Sequence, residues 1–173
     1  ELIDLAFYLP FEKKIFDSSF IHVGLNVSGL LWMGGYTKSN QFKLTADYRE
    51  IIKKTIEFFI NVHGVKLHLV PHVVDFDQNV EADNFACVEL NRMYDQTILA
   101  PTFNNPVEAK SYISGLDFFS GARMHSCIAA FSANVPVYPM AYSRKFSGLF
   151  SETLGYNMIG NMVESPTKKV LDD

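Results

Sequence analysis

An α/β fold, a parallel sheet with helices on both faces, is what this sequence predicts, and three observations predict it. Short apolar runs at residues 21–25, 65–70, 97–99, 118–120 and 135–138 alternate with segments of helical spacing. The connections are a few residues long, so each strand must cross back over the sheet through a helix before it can pair again. The composition is that of a globular chain, 48% hydrophobic and 20% charged over 173 residues, with core enough for one domain.

The elements follow in order. Residues 21–25 form a strand that ends in the turn Asn26-Val27-Ser28-Gly29, and a Gly/Ser/Asn-rich loop occupies 34–41. Thr45 is a suitable N-cap for a helix carrying Tyr48, Ile52, Ile56, Phe59 and Ile60 on one face, which Gly64 ends. A strand at 65–70 gives way to an acidic loop with Asp75 and Asp77. A helix over 84–94 and a short strand at 97–99 come next. Asn105-Pro106 opens a helix with Pro in its first turn, running to Gly115. Strand 118–120, a helix from about 126 to 133, strand 135–138 and a helix over 146–154 complete the series. Residues 1–20 read as a linker or interlobe segment, and 21–173 as a Rossmann-like lobe. The chain opens without an initiator Met and runs at once into apolar text, as an internal segment would, so a missing N-terminal lobe is expected.

Composition narrows the partners. With 15 Lys and Arg against 19 Asp and Glu, the formal charge is -4, which argues against nucleic acid. Cys87 and Cys127 stand far apart without metal-ligand spacing, which suggests buried thiols in a reducing compartment. No membrane-length apolar run or signal-peptide pattern is present, and the expected location is the cytoplasm. Neither GxGxxG nor a Walker A pattern occurs.

In such sheets ligands gather at the carboxyl ends of the strands, which focuses attention on residues 26–29, 71–77, 101–105, 121–125 and 139–145. Between Asp117 and Glu152 there is no acidic residue, where roughly four would be expected by proportion, yet Arg123, His125, Arg144 and Lys145 fall there. Arg123 offers a planar fork to a carboxylate or phosphate, His125 can hold the same anion and move a proton, and the amides of residues 124–126 add donors at a helix start. The alternative is that Arg123 pairs with a structural acid and His125 caps a helix. Lys145, with Arg144 beside it, would bring a second cation to the Arg123 loop, or would be a solvated turn. His72 with Asp75 could serve a sugar hydroxyl as acid and base, or could form a plain polar loop. His22, His63 and His68 read as structural, and no metal site is complete, so none is expected.

The run Asp117-Phe118-Phe119-Ser120-Gly121-Ala122-Arg123-Met124-His125 resembles the C-terminal signature of the polysaccharide pyruvyl transferase family. So do Ala129-Ala130, Val135-Pro136-Val137, Tyr142, Lys145 and Leu154-Gly155. Val23-Gly24-Leu25-Asn26 and Leu69-Val70-Pro71-His72 with Asp75 fit it as well, so the resemblance covers about residues 21–155 and the second half of a typical member. It implies one lobe of a two-lobed, GT-B-like enzyme that moves a pyruvyl group from phosphoenolpyruvate to two sugar hydroxyls as a cyclic ketal on a cell-surface polysaccharide or its precursor. It implies no cofactor, phosphoenolpyruvate being a substrate, and a glycan acceptor whose lipid carrier could bring the enzyme to a membrane surface. Arg123 and His125 would be catalytic. Arg123, His125, Lys145, Ser126, Tyr142 and Asn26 would bind the donor, and His72 and Asp75 the acceptor. Ser28 departs from the pattern, standing where many members carry a basic residue. Competing readings are a glycosyltransferase or sugar-nucleotide enzyme lobe, and a non-catalytic anion- or glycan-binding lobe.

Overall fold

The computed structural model describes residues 4–77 and 79–173. Six strands form one all-parallel sheet: β1 Ile21–Asn26, β2 Val65–Leu69, β3 Ile98–Leu99, β4 Phe118–Gly121, β5 Val137–Ala141 and β6 Gly160–Asn161. Their order is β3-β2-β1-β4-β5-β6. This is the doubly wound Rossmann-type order, in which the connections leave β1 in one direction first and then return to build outward from its other edge. The gap that opens between β1 and β4 at their carboxyl ends is the switch point.

Helices α1 Gly29–Trp32, α2 Tyr48–Ile60, α3 Asp83–Met93, α4 Pro106–Ile113, α5 Met124–Ser132, α6 Arg144–Phe146 and α7 Thr167–Asp172 surround the sheet. One core holds Val23, Leu25, Leu67 and Leu69 of the sheet against Ile51, Ile52 and Ile56 of α2 and Cys87 and Leu90 of α3. The other packs Phe119 and Val137 against Ile113 of α4 and Ile128 and Ala130 of α5. A sheet buried on both faces explains why β1 reads as an unbroken apolar run rather than an alternating one. Gly24 is needed on the second face, where a Cβ would sit 2.5 Å from Leu116 and 2.7 Å from Phe119.

Several boundaries differ from the sequence expectation. The cap of α2 is Asp47, whose carboxylate accepts from Glu50 N at 3.1 Å, because Thr45 is tied instead to Val163 O and Met162 O. Strand β5 starts two residues later than expected and runs through Pro139. Its pairing with β6 begins only at Met140, so a residue without an N–H is accommodated there. The helix expected over 146–154 is a short α6 followed by a wider π-type turn, Ser147–Thr153. Residues 4–20 lie against α4 and α5. Nζ of Lys110 donates to Phe7 O at 3.1 Å, and Lys14 N donates to Ser111 O. His22, His68 and Tyr112 form a buried chain on this side, with His22 Nδ1 2.8 Å from His68 Nε2 and His68 Nδ1 2.6 Å from the Tyr112 hydroxyl. No helix is long and apolar enough to cross a membrane among the described residues.

Candidate functional site

The switch point is organised around a carboxylate that the sequence reading passed over. Asp83, the first residue of α3, has no exposed side-chain surface. Its Oδ1 accepts from Gly29 N at 2.9 Å and from Arg123 Nε and Nη2 at 3.1 and 2.9 Å. Its Oδ2 accepts from Asn26 Nδ2, His72 N and Val73 N, each at 3.1 Å. One side chain therefore ties together the turns after β1, β2 and β4. The approach requires Gly29, where a Cβ would lie 2.3 Å from Ala82 O.

Arg123 follows β4 and is only 12% exposed. The expectation of unopposed cations is corrected here: the loop is free of acids along the chain, but α3 brings one in space. The Arg123 fork is turned to Asp83, and Nη2 donates also to Glu81 O. Nη1 makes no hydrogen bond among the described residues. The Arg123 N–H donates to Asn26 Oδ1 at 3.0 Å, which joins the ends of β1 and β4 across the switch point.

Asn26 and Ser126, expected to touch the donor directly, are both fully buried. Asn26 spends its amide on Val70 O, Asp83 and Arg123 N, and Ser126 Oγ donates to Arg123 O at 2.7 Å. Both hold Arg123 in place. Ser28 is likewise buried, its Oγ accepting from Leu31 N as the cap of α1 and its N–H donating to the Tyr48 hydroxyl.

Helix α5 starts at Met124 with no side-chain cap and no acid in its first turn. Its leading N–H groups therefore carry the roughly half positive charge of a helix start without an internal partner. His125 stands in that turn with 58% of its side chain exposed, its Nε2 3.6 Å from Asp4 Oδ2. Lys145 and Arg144 sit in α6 after β5, next to β4 in the sheet. Both are exposed and neither makes an ion pair among the described residues. Tyr142, half-buried, packs edge-on against Phe42 and at a tilt against Phe146.

His72 follows β2 and joins this group. Its Nδ1 is buried and has no hydrogen-bond partner. Burial pushes its imidazole down to about 4, with the charge of Asp83 opposing and those of His125 and Arg123 adding to the shift. Asp75, half-buried, is held by Asn84 through its backbone and closes a turn by accepting from Asp77 N. Arg123, His125, Asn26 and His72 are thus brought to one end of the sheet, with Lys145 on the adjoining strand end. Asp83 escaped the sequence reading because it stands far from the Arg123 loop in the chain. Its position opening a helix after a polar loop was the available signal.

No cluster of three or more His, Cys, Asp or Glu that could hold a metal ion forms among the described residues. An apolar groove of about 800 Å³, lined by Ile51, Phe58, Phe118, Tyr138 and Met158 among others, runs along β4 and β5 beside α2 and α7 and touches none of these residues.

The family model described as polysaccharide pyruvyl transferase matches residues 2–144. The match takes in Asn26, His72, Asp75, Arg123, His125, Ser126 and Tyr142, and stops one residue before Lys145. It also takes in the segment before β1. No curated protein matches the chain.

Proposed function

The chain belongs to the polysaccharide pyruvyl transferase family, and from that premise we propose that it binds phosphoenolpyruvate at the β1/β4 switch point and passes the pyruvyl group to two hydroxyls of a sugar, forming a cyclic ketal and releasing phosphate. The observation that carries this reading is Arg123, locked between Asp83 and Asn26 beside the uncapped start of α5.

The donor carries a carboxylate and a phosphate a few ångströms apart, so its site must supply several fixed N–H donors and few acids. Because Asp83 offsets the charge of Arg123, the attraction comes from the remaining guanidinium N–H groups, the amides opening α5, His125 and the exposed Lys145. Donors fixed before the ligand arrives cost little reorganisation when charge develops on the phosphate. The reaction needs a proton at carbon 3, and imidazole is the side chain that gives one up most readily near neutral pH. His125, exposed in the first turn of α5, takes that role, while Lys145 neutralises the departing phosphate. His72 and Asp75 lie on the acceptor side.

A nucleotide-sugar enzyme lobe needs a carboxylate with spare acceptor capacity to grip the ribose diol. Asp83 is the buried carboxylate at the switch point, and six N–H groups already occupy its two oxygens. That favours the pyruvyl donor. The test is incubation of the chain, together with the N-terminal lobe that the resemblance implies, with phosphoenolpyruvate and a panel of glycans, followed by detection of the ketal methyl group by NMR. The reading expects a pyruvylated glycan with matching phosphate release. Transfer of a glycosyl group from a nucleotide sugar instead would replace it.

A further inference from the structure

We propose that His72 is the general base of this site, taking the proton from the first acceptor hydroxyl while His125 supplies the proton to carbon 3 of the donor. The inference rests on the pyruvyl-transfer reading and assigns it a second titrating side chain.

Buried polar atoms in folded proteins are nearly always paired, and an unpaired one costs on the order of 1–3 kcal/mol. His72 Nδ1 is such an atom, the one buried side-chain nitrogen or oxygen without a partner among the described residues. It does not lie in a remote part of the core. The backbone N–H of His72 donates to Asp83 Oδ2, and Asp83 Oδ1 holds Arg123, so one carboxylate joins the His72 turn to the donor-binding arginine. The residue as a whole is only partly buried. The charged groups acting on it are Asp83, which opposes burial, and His125 and Arg123, which act with it, and together burial and the two cations keep the ring neutral. A neutral imidazole can accept a proton, and beside an anionic donor it selects a hydroxyl rather than a second anion.

The proton balance closes. As the first hydroxyl oxygen bonds to carbon 2 of phosphoenolpyruvate, its O–H bond breaks and the proton passes to His72. The electron pair of the C2–C3 double bond takes the proton of His125. The C2–O bond to phosphate then breaks with its electron pair leaving on phosphate. The second hydroxyl bonds to carbon 2, and its proton goes to the departing phosphate. The proton on His72 returns to His125 through solvent, so no outside acid or base is consumed.

The test, run with the implied N-terminal lobe present, compares the unaltered chain with His72→Asn, which puts an amide group where Nδ1 stands, and His72→Gln, which puts one where Nε2 stands. Neither side chain titrates in the working range. Phosphate release from phosphoenolpyruvate with a panel of hexosides is followed against pH, and phosphoenolpyruvate affinity is measured by calorimetry. The expected result is donor affinity within about twofold of the unaltered chain in both variants, and a transfer rate lower by roughly 10²–10⁴-fold. The fall in rate on the acid side, present in the unaltered chain, should be missing from both variants. An unchanged rate in either variant, or a loss of donor affinity as large as the loss of rate, overturns the role of His72 alone. If the unaltered chain binds no phosphoenolpyruvate, or releases no phosphate when the N-terminal lobe implied by the resemblance is present, the pyruvyl-transfer reading fails first.

Discussion

Replacing Asp83 with Asn removes the charge from the centre of the site while nearly preserving its shape. Each carboxylate oxygen accepts three N–H groups. An amide keeps one oxygen, so one set of three donors is left facing an NH₂ group. At about 1 kcal/mol for an ordinary hydrogen bond, that loss alone is roughly 3 kcal/mol. Arg123, 12% exposed, also loses its counter-charge, and breaking a buried pair from one side costs about 3–5 kcal/mol. The two estimates count overlapping effects and agree, so about 3–5 kcal/mol is the expected destabilisation. For a chain of this size it lowers Tm by roughly 6–20 °C. The assay is thermal and urea unfolding of Asp83→Asn, Arg123→Met and the double variant. The double variant should fall short of the sum of the singles by at least about 1 kcal/mol, because the second change removes the stranded charge. A single variant within about 1 kcal/mol of the unaltered protein, or strict additivity, would refute the claim that Asp83 and Arg123 form one buried unit.

Further outcomes follow from the same geometry. Arg123→Lys retains the charge but not the fork, and should weaken phosphoenolpyruvate binding by roughly 10–100-fold in calorimetry, the worth of about 1.5–3 kcal/mol for a charged hydrogen bond. Lys145→Met should weaken donor binding most at low salt and leave Tm nearly unchanged, since the side chain is exposed; equal weakening at high salt would argue against a charge effect. Gly29→Ala forces a methyl to within 2.3 Å of Ala82 O and should cost about 1–3 kcal/mol in urea unfolding. Stability should fall as pH drops from the ordinary imidazole range near 6.5 to about 4. Buried His72 and His68 stay neutral in the folded chain there while the unfolded chain takes up protons. His72 accounts for up to about 3 kcal/mol of that loss, and His72→Asn should flatten the slope, measured by urea unfolding across the range.

The sheet was legible because its signals are local. Apolar runs long enough to bury both faces, Asn105-Pro106 at a helix start and Gly64 at a helix end each act within a few residues. Elements without such signals were missed. The four-residue α1 and the two-residue β6 have no period to read, and a strand over 135–138 falls short of the true end of β5 because only pairing with β6 decides whether the missing N–H of Pro139 matters. The site was legible in part for the same reason. Arg123 and His125 stand at a strand end and can be found by position. That the Arg123 fork is filled by Asp83, and that Asn26 and Ser126 face inward to hold it, are facts of packing between elements distant in sequence. An acid-free stretch of chain does not make an acid-free volume.

The central claim is that the β1/β4 switch point takes a small, dense anion. Calorimetry of phosphoenolpyruvate against a nucleoside diphosphate, each competing with the other for this chain and for its Arg123→Lys variant, tests it most directly. The account predicts that phosphoenolpyruvate binds more tightly, that the nucleotide does not displace it at equal concentration, and that the variant loses the preference. Tighter binding of the nucleotide, or a preference that Arg123→Lys leaves intact, would contradict it.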